Sequence, residues 1–394
     1  MRFPEFEGEW EKTTLGNVLV KLENGMTYDT TNTDGFPISR IETISNKVID
    51  YTKVGYTKKT DKLENYKMQK GDILFSHINS LKHIGKTAYY NGEYPLYHGM
   101  NLLLLRCKEN TNSYFCFQLL NSAKFIYSCK ILANQAVNQA SVNTKSLKNI
   151  QISKPSIDEQ QKIATFLKLV DVRISTQNKI IEELKKLKKG INNTIHKQLK
   201  VSRCTSFSEI GEDYSGLSGK CATDFGVGEP YITYLNVFNN DVIDDTIFEK
   251  VNINATEHQN VVKDGDVIFT LSSETPEEVG MGAVYLGTDS PLYLNSFCFG
   301  IHITKTDIVY PPYLSCLINT NQFRKSVFPL AQGSTRFNLQ KNDFMKMKLV
   351  LPSLDEQILI YKTLKTIGIK LSKAEKLLDM YTKQKSYLLS NMFI

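Results

Sequence analysis

Histidine is the side chain best suited to metal binding or proton transfer near neutral pH, and three of the six in this chain, His77, His83 and His98, lie close together in sequence. None has a cysteine or carboxylate at ligand spacing, so these histidines are expected to be polar surface groups. The seven cysteines, at positions 107, 116, 129, 204, 221, 298 and 316, form no Cys-x-x-Cys pair. An odd number is a poor disulfide framework, and they read as reduced thiols of the core. Gly226-Val227-Gly228 follows Asp224-Phe225 with no apolar strand before it and no spaced third glycine, so it reads as a turn rather than a nucleotide-binding loop. No Gly-x-x-x-x-Gly-Lys-Ser/Thr stretch is present to cradle the phosphates of ATP. The sequence offers no catalytic constellation and no metal site, which leaves hydrogen bonding and charge as its chemistry.

The net charge is +7, distributed as +6 over residues 1–156, +5 over 157–200, −7 over 201–353 and +3 over 354–394. Basic segments are either solvated faces or surfaces that lie near phosphates, whose neutralisation supplies most sequence-independent affinity for nucleic acid. At 394 residues, with 41% hydrophobic and 23% charged content, the chain has room for two or three domains of an ordinary soluble protein. Residues 1–10 hold no apolar core segment, and no run approaches the 18 or more apolar residues of a membrane span. A cytoplasmic protein is expected.

The elements that must position any such chemistry come in two copies. Pro155-Ser156-Ile157-Asp158-Glu159-Gln160 returns 197 positions later as Pro352-Ser353-Leu354-Asp355-Glu356-Gln357. Ser156 with Glu159, and Ser353 with Glu356, have capping-box spacing, which predicts a helix start at each. Apolar residues then step by three and four through Ile163, Leu167, Val170, Ile174, Ile181, Leu184, Ile191 and Ile195. The same slots in the second copy hold Ile360, Leu364, Ile367, Leu371, Leu378, Tyr381, Leu388 and Met392, and a lysine occupies one shared slot as Lys188 and Lys385. Each helix is predicted to have about 40 residues and a length of roughly 60 Å. That exceeds what a globular core needs, so the two read as spacers that pair lengthwise rather than as ordinary amphipathic helices.

The regions between the helices repeat as well. Lys70-Gly71-Asp72-Ile73-Leu74-Phe75 reads as a tight turn feeding a buried strand, and Lys263, Gly265, Asp266, Val267, Ile268 and Phe269 supply its counterpart. Pro95-Leu96-Tyr97 is echoed by Pro291-Leu292-Tyr293, and a short helix over residues 113–125 by one over 312–323. Offsets drift between 194 and 198, as insertions in loops allow. The fold class is therefore mixed α/β (α+β), a pseudo-two-fold internal repeat ordered domain, helix, domain, helix. Its boundaries are residues 1–154, 155–200, 201–351 and 352–394. Just before each helix, Val142, Leu147, Ile150 and Ile152 match Leu339, Phe344, Met347 and Leu349, whereas Gln139, Ser141 and Asn143 become Arg336, Asn338 and Gln340. The apolar positions persist while the polar ones differ, through surface drift or because two readers serve different targets.

A tryptophan followed by Leu15-Gly16, two mixed domains with a Gly-Asp-hydrophobic turn, and two Pro-x-x-x-Glu-Gln helix starts resemble the DNA specificity subunit of type I restriction-modification enzymes over essentially the whole chain. The resemblance implies that residues 1–154 and 201–351 are target recognition domains, each reading half of a split DNA site. It also implies that the long helices form an antiparallel coiled coil that spaces the readers and docks two methyltransferase subunits, with restriction and translocase subunits in the full complex. S-adenosylmethionine, ATP and Mg2+ would be used by those partners and not by this chain. Thr13 to Val18 and the matched Phe207 to Ile210 would open the two domains, the second without a tryptophan.

For such a reader the useful groups are amides, guanidiniums and ammoniums that reach base edges, with hydroxyls and lysines for phosphates. The candidates in the first domain are Ser76, His77, Asn79, Lys82, Lys86, Gln139, Asn143 and Lys145. In the second they are Ser272, Ser273, Arg324, Lys325, Arg336, Asn338 and Lys341. Tyr310-Pro311-Pro312-Tyr313 nearly spells the Asn-Pro-Pro-Tyr loop of adenine methyltransferases, but Tyr310 cannot accept a hydrogen bond from a flipped adenine in the same geometry. Proline at a helix start accounts for it better. A stand-alone methyltransferase would need that acceptor and a cofactor pocket, and neither is present. A coiled-coil adaptor without DNA binding is the other reading.

Overall fold

The computed structural model describes residues 2–80, 83–136 and 139–393, with the backbone alone for 134–136 and 139. The chain packs as two compact units, Met1–Asn178 with Lys376–Ile394, and Lys179–Glu375. The long helices run over Ile157–Gln198, 42 residues, and Leu354–Asn391, 38 residues, so each unit takes one half of each.

In unit 1 a four-stranded antiparallel sheet has the order Leu19–Asn24, Leu103–Cys107, Ile73–Phe75, Thr87–Tyr89. The strand Glu11–Thr14 pairs with Gln151–Lys154, and the 3-10 turn Leu15–Val18 then buries its first and last residues. Unit 2 repeats the plan, with a sheet ordered Gly211–Ser215, Cys298–Ile303, Val267–Thr270, Gly282–Val284. Arg203–Ser206 pairs with Lys348–Leu351, and the helical turn Phe207–Ile210 buries both of its ends. The second domain thus opens on the same strand and turn as the first, with Phe207 in the place of Leu15.

The Gly-Asp turn feeds the central strand of each sheet. Gly71 (φ +98°) and Gly265 (φ +84°) take the left-handed backbone that favours glycine. Asp72 then accepts from the Gln69 N–H at 2.7 Å, and Asp266 from the Lys263 N–H at 2.8 Å. These carboxylates are buried, and each needs a further partner. Arg106 supplies Asp72 with two bonds of 2.7 Å. Asp266 instead accepts from the Tyr214 hydroxyl at 2.7 Å and faces His302 Nδ1 at 2.8 Å. Burial pushes the Asp266 carboxyl above its ordinary range, against the bonds from Lys263, His302 and Tyr214 that pull it down.

Each core is continuous with its halves of the long helices. In unit 1, Ile163, Leu167 and Val170 join Leu388, Leu389, Met392 and Phe393 in one apolar cluster, and Lys385 pairs with Asp171. Asp171 also accepts from Tyr114 at 2.6 Å and Gln118 at 2.7 Å. In unit 2, Ile360, Tyr361 and Leu364 pack into the core with Ile191, Ile195 and Leu199 against it, and Lys185 pairs with Glu375 at 2.9 Å. Within each unit the start of one helix therefore lies beside the end of the other, an antiparallel arrangement. All the seam positions named from the sequence, including Ile174, Ile181, Leu184, Ile367, Leu371, Leu378 and Tyr381, are buried or half-buried. The matched lysines differ in partner, since Lys188 pairs with Asp241 of the unit 2 loops.

Four expectations are corrected. The capping box closes at the second helix, where Glu356 accepts from the Ser353 N–H at 3.0 Å and its hydroxyl at 2.7 Å. At the first helix Ser156 caps the Glu159 N–H at 3.4 Å, but Glu159 does not reach back. Its carboxylate is only 1% exposed and accepts from Arg2 at 2.8 and 2.7 Å and from the Trp10 indole at 3.3 Å. The helix expected over 113–125 is two, Ser113–Leu120 and Ala123–Ile131, because Ser122 caps a new start; Thr320 likewise divides Pro311–Leu317 from Asn321–Val327. His77 and His98 are buried, not on the surface, and His98 bonds to the Leu102 carbonyl at 2.9 Å. Cys204 and Cys221 are exposed rather than in the core.

Among the described residues no helix is long and apolar enough to cross a membrane. No group of three or more His, Cys, Asp or Glu there could hold a metal ion.

Candidate nucleic-acid interface

A small three-stranded sheet in each unit gathers the segments proposed to read bases. In unit 1 its order is Asn134–Ala136, Gln139–Ser141, Ile78–Asn79, with Asn79 opposite Ala140. In unit 2 it is Ala331–Gln332, Phe337–Leu339, Ser272–Ser273, with Ser272 opposite Asn338. Segments about 60 residues apart in sequence are joined here by backbone pairing. Gln139 stands at the start of its strand, and Arg336 immediately precedes the matching one.

The candidates separate once their side chains are placed. Lys86, Lys145, Lys325, Arg336 and Asn338 are exposed, and Asn79 is half-buried. Lys82 lies outside the described residues. Ser76 and His77 are buried, and burial lowers the His77 pKa. Ser272 and Ser273 are buried too, with the Ser273 hydroxyl bonded to Glu278 at 3.0 Å. Asn143 accepts from the Lys145 N–H at 2.7 Å and so caps the helix Thr144–Lys148. Lys341 pairs with Asp213 at 2.5 Å and lies over the Phe299 ring.

Arg324 is a correction with a clear cause. Its guanidinium donates to the carbonyls of Gly280 at 2.5 Å, Glu277 at 2.8 Å and Val279 at 2.7 Å, which braces the loop before the strand Gly282–Val284. Burial lowers its pKa. Sequence reasoning also missed Phe297, a 51% exposed aromatic over which Arg336 sits, 5.2 Å from the ring centroid. The available signal was the turn residue Asn295, whose side chain accepts from the Phe297 N–H at 2.9 Å and leaves Phe297 outside the strand that follows.

The Gln of each Pro-x-x-x-Glu-Gln stretch ties its unit to the long helix. Gln160 accepts from the Asn112 N–H at 2.9 Å and donates to the Pro155 carbonyl at 2.9 Å. Gln357 accepts from the Tyr310 N–H at 2.9 Å and donates to the carbonyls of Ile308 at 3.0 Å and Pro352 at 3.1 Å. Both side chains are fully buried.

This doubled arrangement, two similar mixed units each stapled to long helices and each presenting a small sheet with different polar groups, defines a tandem recognition scaffold. The type I restriction modification DNA specificity domain matches residues 7–186 and again 206–378, and the chain belongs to that family. It is 33% identical over 411 residues to the putative type I restriction enzyme MjaX specificity subunit of Methanocaldococcus jannaschii, covering 94% of this chain and 90% of that one. Among solved structures it is similar to the type I restriction-modification S subunit from M. genitalium, with a TM-score of 0.56 and 16% identity over 100% of this chain and 99% of the other. A chain from a structure described as bearing on complex assembly and conformational transition of the type I R-M system gives a TM-score of 0.57 at 15% identity, covering 98% and 97%. At these identities the two solved structures speak to the fold.

Proposed function

We propose that this chain is the non-catalytic DNA specificity subunit of a type I restriction-modification system. Each unit reads one half of a bipartite site through its three-stranded sheet and neighbouring loops, and the paired long helices set the spacer between the halves. The observation that carries this reading is the repeat itself, in which the matched positions hold Gln139 and Ser141 in the first copy and Arg336 and Asn338 in the second. Two scaffolds with unlike donors suit two unlike half-sites. The exposed residues Lys86, Lys145, Lys325, Arg336 and Asn338, with the half-buried Asn79, form the proposed contact surface together with Gln139.

The helices dock two methyltransferase subunits, and restriction and translocase subunits complete the assembly in the cytoplasm. S-adenosylmethionine, ATP and Mg2+ are used by those partners. The chain alone therefore binds no S-adenosylmethionine and transfers no methyl group.

Methylation mapping in a host that carries only this system tests the reading. Inserting four residues between Glu182 and Gly190 adds about 6 Å of helix at about 1.5 Å per residue. A coiled coil absorbs such a stutter by local unwinding. The expected result is two unchanged half-sites with the spacer lengthened by one or two base pairs, since bases rise about 3.4 Å along a strand. An unchanged spacer in a folded, active variant shows that this helix does not set the distance.

A further inference from the structure

We propose that Phe297 and Arg336 form a preassembled guanine-reading pair in unit 2, in which the ring holds the guanidinium and leaves its N–H groups for the base. The inference rests on the DNA-reading role above and assigns one position of one half-site.

Arg336 is exposed and carries five donors, yet none of them has a protein acceptor among the described residues. That separates it from Arg106 and Arg324, whose guanidiniums are bonded within their own units. Among the described residues the guanidinium lies over the Phe297 ring. A cation over an aromatic face is held by the ring quadrupole while its hydrogen-bonding capacity stays free. An arginine donates two parallel bonds to O6 and N7 of guanine, the commonest specific contact in the major groove. A free arginine loses side-chain entropy when it is fixed on a base, so restraint before binding raises affinity.

Phe297 is itself held in place from both sides of its backbone. Its N–H donates to Asn295 at 2.9 Å, and its carbonyl accepts from the Leu271 N–H at 2.8 Å. Leu271 immediately precedes Ser272, which pairs with Asn338 two residues after Arg336. Ring and guanidinium are thus tied to adjacent strands of the same small sheet. An exposed phenylalanine contributes nothing to the core, and beside it a 450 Å³ pocket, lined also by Phe225 and Tyr231, leaves the ring accessible. In the first copy the matched positions are Asn101 and Gln139, so the pair belongs to unit 2 alone.

The test uses the full chain assembled with its methyltransferase subunits and the duplex it selects from a degenerate pool. Replacing each guanine of that duplex in turn by 7-deazaguanine removes the N7 acceptor. At one guanine, in one half-site, the wild type is expected to lose roughly ten-fold in affinity, because one of the two bonds of the bidentate contact is gone. Arg336→Ala should be indifferent to that replacement. Phe297→Ala should show a smaller penalty at the same base, Phe297→Trp should keep it, and Phe297→Leu should not. A full penalty in Phe297→Ala, or one that persists in Arg336→Ala, overturns the pair while leaving the DNA-reading role intact. Failure of the wild type to select any sequence overturns both.

Discussion

The two units build the same turn around a buried aspartate and neutralise it by different means. Asp72 faces a guanidinium through two bonds of 2.7 Å, whereas Asp266 faces a phenol and an imidazole. The geometry of the turn needs one carboxylate oxygen to accept from the backbone, and that bond is the same in both. The remaining lone pairs are open to whatever the sheet presents at the position of Arg106 or His302. A repeated fold can thus preserve an acceptor while exchanging the charge that balances it.

Removing those partners should break the equivalence most visibly. Arg106→Ala removes the guanidinium from the buried Asp72 and leaves it the Gln69 N–H bond, and is expected to destabilise unit 1 by about 3 kcal/mol. His302→Ala leaves Asp266 its Tyr214 bond and a carboxyl already pushed toward the neutral form, so unit 2 should lose only about 1 kcal/mol. Hydrogen exchange of the strands Ile73–Phe75 and Val267–Thr270 measures the two separately. Equal losses would show that the buried charge does not govern the difference.

The helix starts give a second contrast of smaller size. Glu159→Gln removes the carboxylate that holds both Arg2 and Trp10, at an expected cost of about 2 kcal/mol. Glu356→Gln should cost a few tenths, because glutamine also serves a capping box. Denaturant unfolding of each variant would separate the roles, and a larger loss for Glu356→Gln would reverse them.

A third contrast is set by pH. Unit 1 buries His98 where unit 2 has Leu294, and burial pushes the His98 pKa down from 6.5 to about 4. The folded state then holds the proton less tightly than the unfolded chain. The contribution is present above pH 6.5 and is lost as pH falls toward 4, by roughly 1 kcal/mol between pH 6.5 and 5.5. In His98→Leu that part of the pH dependence of unit 1 should vanish. An unaltered pH profile of unit 1 exchange protection would place the dependence elsewhere.

The long helices were legible from the sequence because sixteen seam positions and a doubled helix start all point the same way, and periodicity reports burial directly. The Gly-Asp turns were legible because a left-handed glycine and its following acceptor are local. What escaped the sequence depends on partners distant along the chain. Glu159 has the spacing of a capping box, yet Arg2 and Trp10 claim it from about 150 residues away. Arg324 has the chemistry of a base reader, but three carbonyls of the 277–280 loop occupy it. Phe297 drew no notice because a lone aromatic in a polar loop has no period, and only folding sets it beside Arg336.

The staples made by Gln160 and Gln357 have a consequence for which substitutions each unit tolerates. Among the described residues each amide bonds solely to main-chain groups, and the donors it accepts from belong to an asparagine in one unit and a tyrosine in the other. A bond to the backbone asks nothing of side-chain identity. A different residue at 112 or 310 therefore leaves each staple intact, while the ties of Glu159 to Arg2 and Trp10 and of Asp171 to Tyr114 and Gln118 stay specific to their side chains.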